Sequence, residues 1–294
     1  MPLQRSLHVV LSSLLLLLLA ACAGREVKPI PVEPTRKAVK VALVLGAGAA
    51  KGFAHVGVLK VLEANLVPVH MVVGTSVGSF VGGLYAYGYT AYDLQKIAMG
   101  IEKGEIADLT VPDNGFVKGE KLEAYVNRMI RGTTMENLRV PFYAVATDIG
   151  SGEEVVFGKG NTGSAVRASC SIPGVFRPVR IGDRTYVDGG VVSPVAVDAA
   201  RRLGANVVIA VDISGGVSGA IPDTTLDTIF QSIGVMYSKI AAAQLPRADV
   251  VIKPKVGYIA SGDFTKRHEA ILEGEKAAQA ALPQIRALLG DPGR

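Results

Sequence analysis

Residues 69–78, VHMVVGTSVG, predict a strand followed by a helix and contain the first candidate catalytic residue. The apolar, β-branched run at 69–73 is typical of a strand buried on both faces of a parallel sheet. Gly74, Ser76 and Gly78 follow this run, and a stretch rich in small residues then predicts a helix. A serine at such a strand-to-helix turn needs small neighbours, because the backbone there is strained. We therefore expect the Ser76 hydroxyl to project from the sheet edge, beside a helix N-terminus that favours developing negative charge.

Strands and helices alternate along the rest of the chain. Residues 39–45, VKVALVL, predict the first buried strand. Further strands are expected at 142–147, 154–157, 185–187, 207–211 and 250–252, and helices near 53–63, 120–131, 162–170, 195–203, 225–244 and 264–289, with Thr90 as the cap of another. The alternation predicts an α/β fold, a mostly parallel central sheet with helices on both faces. Residues 39–294 show no dividing linker and are predicted to form one domain.

A second strand-to-helix junction carries GAGAAKG at residues 46–52. Small residues let several backbone N–H groups converge on one anion, so a loop beside Ser76 would form an oxyanion hole. One donor of such a hole typically contributes about 3 kcal/mol to lowering the barrier. The candidates are Gly46, Ala47, Gly48, Ala49, Lys51 and Gly52. Nucleotide-binding alternatives are disfavoured, since no Ser or Thr follows Lys51 and residues 69–74 lack an acidic residue.

A base is needed to activate a serine hydroxyl. Asp188 precedes two glycines at the end of a predicted strand, where its carboxylate has little steric cover, although Asp-Gly is also a common turn dipeptide. Ser76, Asp188 and His268 stand in the chain order of an α/β-hydrolase triad. His268 lies in a charged stretch that predicts a solvated helical face, which weakens the triad. His55 and His70 are expected to be structural.

The composition excludes several other classes of protein. The 31 Lys and Arg residues exceed the 26 Asp and Glu residues by only +5, without the basic stripe of a nucleic-acid binder. Two cysteines cannot form a disulfide framework, and with four histidines a structural zinc site is not expected. Cys170 is expected to be a buried structural cysteine, and the apolar stripe at 225–244, which includes Tyr237, is expected to pack in the core.

The N-terminal segment reads as a targeting signal. Arg5 is followed by a leucine-rich apolar run too short to span a bilayer comfortably, which favours a signal peptide at 1–21. Leu19-Ala20-Ala21-Cys22 looks like a bacterial lipobox, in which the cysteine is lipidated, and Ala23 is similar to the sorting default of outer-membrane lipoproteins. Residues 22–38 are expected to be the lipidated Cys22 and an extended, proline-containing tether. A membrane-anchored lipoprotein of the bacterial cell envelope, facing the periplasm, is therefore expected.

Taken together, the motifs resemble those of the bacterial patatin-like phospholipases. Across roughly residues 40–280 they stand in that family's order: the loop at 46–52, the serine turn at 74–78, ASCSIP at 168–173 and DGG at 188–190. Residues 53–59 and 172–176 are also typical. Each motif is weak alone, but four in order at the family's spacing form a specific signal.

The resemblance implies a patatin-like three-layer architecture and a lipid acyl hydrolase of phospholipase A or lysophospholipase type. Ser76 would be the nucleophile and Asp188 the base, without a histidine. A dry site could raise the pKa of the Asp188 carboxyl towards neutrality. Amides including those of Gly48 and Ala49 would hold the oxyanion, and Lys51 takes the place of the family's basic residue. The implied partner is a membrane lipid or lysolipid, with no cofactor and no metal.

One departure from the family pattern affects the oxyanion loop. Ala47 and Ala49 occupy positions where the family commonly has glycine, and alanine disfavours positive φ, so we expect ordinary backbone conformations there. If the chemistry needs positive φ, the oxyanion hole would be weak. Two alternatives to the Ser-Asp hydrolase therefore stay open: a Ser-His-Asp esterase using His268, and a catalytically weak lipoprotein that acts as a binding partner.

Overall fold

The computed structural model describes residues 39–111, 114–215 and 221–290. The predicted signal peptide at 1–21, the lipidated Cys22 and the tether up to residue 38 lie outside the described residues. None of the described helices is both long enough and apolar enough to cross a membrane.

One mixed sheet organises the described chain. Its strands are β1 Val41–Leu45, β2 Met71–Thr75, β3 Phe142–Asp148, β4 Glu154–Phe157, β5 Val179–Ile181, β6 Arg184–Asp188, β7 Val207–Val211 and β8 Val250–Ile252. The order is β5-β6-β3-β2-β1-β7-β8, and β4 also pairs with β3. Strands β3, β2, β1, β7 and β8 run parallel, whereas β4, β5 and β6 join by antiparallel pairing. The parallel part is buried, in keeping with its apolar sequence.

Helices cover this sheet. They are α1 Phe53–Ala64, α2 Val77–Tyr87, α3 Ala91–Gly100, α4 Lys103–Ile106, α5 Glu120–Met129, α6 Thr162–Ser169, α7 Val197–Arg202, α8 Thr225–Gln244 and α9 Arg267–Leu289. A single 3₁₀ turn, Ala49–Gly52, leads from the loop after β1 into α1.

The sheet separates two apolar clusters, because side chains alternate along each strand. In β1, Val41, Leu43 and Leu45 join the larger cluster, which also contains residues of α1, α2, α3, α5 and α9. Ala42 and Val44 join the smaller cluster, with residues of α7 and Ala241 of α8. The predicted α/β class, with helices on both faces of the sheet, is confirmed.

Several element boundaries differ from the sequence prediction. Strand β5 is three residues long and was not predicted, since so short a run carries no period. Helix α9 begins at Arg267 rather than at residue 264, because Asp263 accepts the Thr265 amide and holds a turn there. The predicted cap of α3 is confirmed: the Thr90 hydroxyl accepts the Asp93 amide in a capping box.

Candidate active site

Ser76 occupies a strained turn between β2 and α2. Its φ of 55° and ψ of −127° are values that a residue with a Cβ rarely adopts. A Cβ at Gly74 would lie 2.5 Å from the Gly78 carbonyl oxygen, and one at Gly78 would lie 2.0 Å from that of Leu45. Both flanking glycines are therefore required by close backbone approach, as the sequence predicted for Gly74 and Gly78.

A side chain from α6 holds this turn. The Ser76 amide donates to the Ser169 hydroxyl at 2.9 Å, and Ser169 donates in turn to the Val145 carbonyl at 2.6 Å. Ser169 belongs to the ASCSIP stretch. The sequence therefore singled out this segment but did not predict the hydrogen bond to Ser76. This hydrogen bond helps to hold a backbone conformation whose strain costs of order 1–3 kcal/mol.

The sheet register brings Asp188 to Ser76 across more than a hundred residues of sequence. Strand β3 pairs with β2 and then with β6: Thr75 lies opposite Val145, and Asp188 lies opposite the next residue, Ala146. Ser76 directly follows β2, and Asp188 ends β6. Both residues therefore lie beside the same point of β3. The Ser76 hydroxyl faces the Asp188 carboxyl and favours its ionised form.

Asp188 is fully buried, and its environment changes its acidity. Burial raises the pKa of the Asp188 carboxyl from 3.8 to about 6, while the Ser76 hydroxyl, the Gly190 amide and the Tyr237 hydroxyl, which all face it, oppose the rise. The Gly190 amide donates to Oδ1 at 2.7 Å. The expected shift towards neutrality is confirmed, so near pH 7 the carboxylate is ionised yet able to take a proton.

The hydrogen bonds of the glycine-rich loop narrow the candidate oxyanion donors. The Gly46 amide donates to the Val211 carbonyl, the Ala47 amide to the Pro194 carbonyl, and the Lys51 amide to the Gly48 carbonyl. The prediction is corrected for these three amides, because each is already engaged. Within the described residues, the amides of Gly48 and Ala49 have no partner. Those two remain the donors that a ligand anion could use.

One further expectation for this loop is wrong. Ala49 has a φ of 50°, so it adopts the left-handed conformation that was not expected of an alanine. Lys51 is buried and does not line the cavity at Ser76, and its Nζ donates to the Ser214 carbonyl at 3.0 Å. Burial lowers the pKa of Lys51, and the nearby Asp212 partly offsets the effect. Gly52 is needed for close packing, since a Cβ there would lie 2.2 Å from Val77.

An apolar cavity of about 320 Å³ opens at Ser76. Helix α2 lines one wall, and the rest comes from α1, α3, α4, α5, α8, the glycine-rich loop and the segments at 170–176 and 261–264. The side chains that α2, α3 and α8 place in it are Val77, Phe80, Val81, Leu84, Leu94, Ile97, Ala98, Leu226 and Phe230. Ala49, from the glycine-rich loop, and the buried Cys170 also line this cavity. The space suits a flexible hydrocarbon chain whose polar end lies at Ser76.

The three histidines of the described residues do not reach this site. His268 is the second residue of α9 and does not line the cavity. It is therefore not placed to act as the base of a Ser-His-Asp triad. His55 is buried with Nε2 2.9 Å from the Gly46 carbonyl, and burial lowers its pKa to about 4. Since a carbonyl only accepts, Nε2 carries the proton of this neutral ring. His70 accepts the Val41 amide, and the structural roles expected for both residues are confirmed.

Two contacts near Asp188 were not predicted. The Thr75 hydroxyl donates to the Ser193 carbonyl at 3.0 Å, which ties the serine turn to the chain after Gly190. Tyr237 was assigned to an apolar stripe, yet its hydroxyl faces Asp188. A buried tyrosine usually needs a hydrogen-bond partner for its hydroxyl. This requirement could have indicated a polar contact for Tyr237.

Known proteins are similar to this chain in sequence and in fold. Residues 43–201 match the family model described as patatin-like phospholipase. An uncharacterised NTE family protein of Mycobacterium tuberculosis is 32% identical over 70% of this chain and 60% of its own length. Patatin-like phospholipase domain-containing protein 6 of Homo sapiens is 33% identical over 75% of this chain but 16% of its own. Lysophospholipase nte1 of Aspergillus fumigatus is 31% identical over 79% of this chain and 16% of its own.

The solved structure of VipD from Legionella pneumophila has the same fold, with a TM-score of 0.57 and 12% identity over 85% of this chain and 67% of that one. The chain spans less than two thirds of the length of the curated relatives cited above. Since the matched model covers more than half of its residues, the chain belongs to the patatin-like phospholipase family.

Proposed function

We propose that the protein hydrolyses carboxylic ester bonds of lipids, as a phospholipase A or lysophospholipase-type serine esterase. One observation carries the proposal: the strained Ser76 lies between a buried carboxyl, Asp188, and an apolar cavity. The ester carbonyl would lie at Ser76 and the acyl chain in the cavity. The name lysophospholipase on one relative supports a substrate with a single acyl chain.

In the acylation step, the Ser76 oxygen attacks the ester carbonyl carbon while Asp188 takes the hydroxyl proton. The carbonyl oxygen becomes an oxyanion, to which the unengaged amides of Gly48 and Ala49 in the glycine-rich loop can donate. Collapse breaks the bond to the alcohol part of the lipid, and Asp188 returns the proton to that leaving oxygen. The acyl group is then bound to Ser76 as an ester.

Deacylation repeats these steps with water as the nucleophile. Asp188 takes a proton from water as its oxygen attacks the acyl carbon. The tetrahedral intermediate then releases a fatty acid, and the proton goes back to the Ser76 oxygen. The raised pKa of Asp188 suits both directions of transfer, because a carboxylate with an ordinary pKa is a weaker base.

Labelling with a fluorophosphonate probe tests this function. The wild type is expected to be labelled, whereas Ser76→Ala removes the nucleophile and Asp188→Asn removes the base. Ser261→Ala is the matched control, since Ser261 lines the same cavity without an equivalent turn. His268→Ala should leave labelling unchanged. A Ser76→Ala protein that hydrolyses acyl esters at the wild-type rate would contradict the proposal, and an unlabelled wild type would favour the catalytically weak binding protein.

We also propose that lipidation of Cys22 anchors the protein to its substrate membrane, in the bacterial cell envelope. The lipobox at 19–22 supports this proposal. Two acyl signals make anchoring stable, whereas one gives only reversible binding. Palmitate incorporation into the wild type, lost in Cys22→Ser, is the expected result; equal incorporation in both would exclude Cys22 as the site.

A further inference from the structure

Tyr237 is packed against the Asp188-Gly189-Gly190 segment. It lies on α8 with 5% of its surface exposed. A Cβ at Gly190 would lie 2.2 Å from Tyr237 Cζ and 2.7 Å from its hydroxyl oxygen. The second glycine of this motif is therefore required by the tyrosine ring, while the first is required by the Val145 carbonyl, 2.2 Å from a Cβ at Gly189. The ring is held in one place beside the carboxyl.

Two buried polar atoms here lack regular hydrogen-bond partners among the described residues. They are Oδ2 of Asp188 and the hydroxyl of Tyr237, which belong to side chains that face each other. Buried polar groups are nearly always paired, because an unpaired one loses its bonds to water. A small movement of either side chain would pair a phenol donor with a carboxylate acceptor.

No charged side chain of the described structure acts on the Asp188 carboxyl. The groups that face it are the Ser76 hydroxyl, the Gly190 amide, the Tyr237 phenol and the Cys170 thiol. Burial raises the pKa of both the thiol and the phenol well above their usual ranges, so both are uncharged at neutral pH. The charge on Asp188 is thus stabilised only by hydrogen-bond donors. Ser76 and Gly190 belong to the serine turn and the DGG motif, whereas Tyr237 lies outside both motifs.

We propose that Tyr237 is a positioning residue that donates to the Asp188 carboxylate and sets the lowest pH at which this carboxylate works as a base. The inference rests on the proposed function. The phenol stabilises the ionised carboxylate and occupies one of its acceptor sites, which directs another towards Ser76. If Tyr237 only filled space, removal of its hydroxyl alone would leave this ionisation unchanged.

Tyr237→Phe tests the assignment, because it removes the hydroxyl and keeps the ring against Gly190. We expect the acidic limb of kcat/KM to move about one pH unit upwards, so that kcat/KM falls about tenfold at pH 5 and little at pH 8. Tyr125→Phe is the control: Tyr125 is equally buried and packs on Phe80, with no contact to Asp188. Its acidic limb should stay in place.

Thermal unfolding supplies a readout that does not depend on turnover. Loss of the phenol penalises only ionised Asp188, so Tyr237→Phe should lower Tm more at pH 8 than at pH 4. This difference should disappear in an Asp188→Asn background. An unchanged acidic limb, or a Tm loss independent of pH, would overturn the role of Tyr237. If Asp188→Asn itself kept full activity, the proposed function would fail instead, and the two failures are thereby distinguishable.

Discussion

Asp188 is a buried carboxyl on which no described cation acts, and this sets the pH behaviour expected of the site. Because its pKa is about 6, the proportion of ionised base falls as the pH drops through that value. We therefore expect kcat/KM to decline about tenfold per unit below pH 6, as measured with a soluble acyl ester. A flat profile between pH 5 and 8 would contradict the role of Asp188.

The same raised pKa has a consequence for stability. The folded state holds the Asp188 proton more tightly than the unfolded state, so stability is lost as the pH rises from 3.8 to about 6. Asp188→Asn should remove this loss, which amounts to about 3 kcal/mol, and should raise Tm at pH 8 relative to pH 4. Asp212→Asn is the contrasting variant: Asp212 is buried but paired with Lys253 at 2.9 Å, and breaking that pair should lower Tm.

Ala49 and Ala47 allow a comparison between two alanines of one loop. Ala49 has positive φ and Ala47 does not. Ala49→Gly should therefore raise or preserve the free energy of unfolding, by up to about 1 kcal/mol, and keep its amide for the oxyanion. Ala47→Gly should instead lower it by about 1 kcal/mol. Urea titration measures both; a loss in Ala49→Gly as large as that in Ala47→Gly would mean that positive φ costs this loop nothing.

Residue-level prediction worked where a motif carried local geometry. Gly74, Ser76 and Gly78 are neighbours in sequence, so the strained turn could be predicted from this short segment alone. The meeting of Ser76 with Asp188 came from family resemblance and depends on the register of β3, which no local pattern encodes. The direction of Lys51 and the engaged loop amides depend on chain segments far along the sequence, and so escaped prediction.

Helices α1 and α9 cross at a pair of glycines, and this contact fixes α1 behind the oxyanion loop. A Cβ at Gly57 would lie 1.9 Å from the Ile271 carbonyl, and one at Gly274 would lie 2.0 Å from that of Ala54. Gly57→Ala should therefore push the helices apart and cost about 3 kcal/mol of unfolding free energy. Because α1 follows the loop directly, activity should fall with stability.

A glycine in α8 supplies the control for Gly57→Ala. A Cβ added at Gly234 would meet no described atom within 4 Å, so Gly234→Ala should gain roughly 0.5–1 kcal/mol from helix propensity. Chemical denaturation of both variants gives the comparison. Equal stability changes would show that the α1–α9 crossing adapts to a methyl group.

Elements made of a continuous apolar or periodic run were predicted most accurately, whatever their length. The boundaries of β4, β7, β8 and α8 agree with the sequence prediction, since each is a continuous apolar or periodic run. The antiparallel additions β5 and β6 are short and partly exposed, and their pairing depends on contacts with β3 rather than on their own residues. The sheet is consequently more mixed than alternation alone suggested.

At the scale of the whole molecule, the cavity is a product of the fold rather than of any one segment. Its wall along α2 runs from Ser76 to Leu84, about 12 Å at the rise of an α-helix. Helices α1, α3 and α8 contribute to its other walls, and α8 follows α3 by more than a hundred residues of sequence. Each contributing residue looks like ordinary core in sequence, because a lining side chain and a packed one share the same apolar pattern.

The cavity predicts a preference for long acyl chains. Wild-type kcat/KM should rise from acetyl to octanoyl and longer p-nitrophenyl esters, since each methylene leaves water for an apolar wall and contributes about 0.8 kcal/mol. Ala98→Leu places a larger side chain in the cavity from α3 and should lower the octanoyl-to-acetyl ratio about tenfold, with acetyl hydrolysis retained. Ala280→Leu, the same change on an exposed part of α9, should leave the ratio unaltered. If Ala98→Leu hydrolysed both esters in the wild-type proportion, the acyl chain would have to bind elsewhere on the protein.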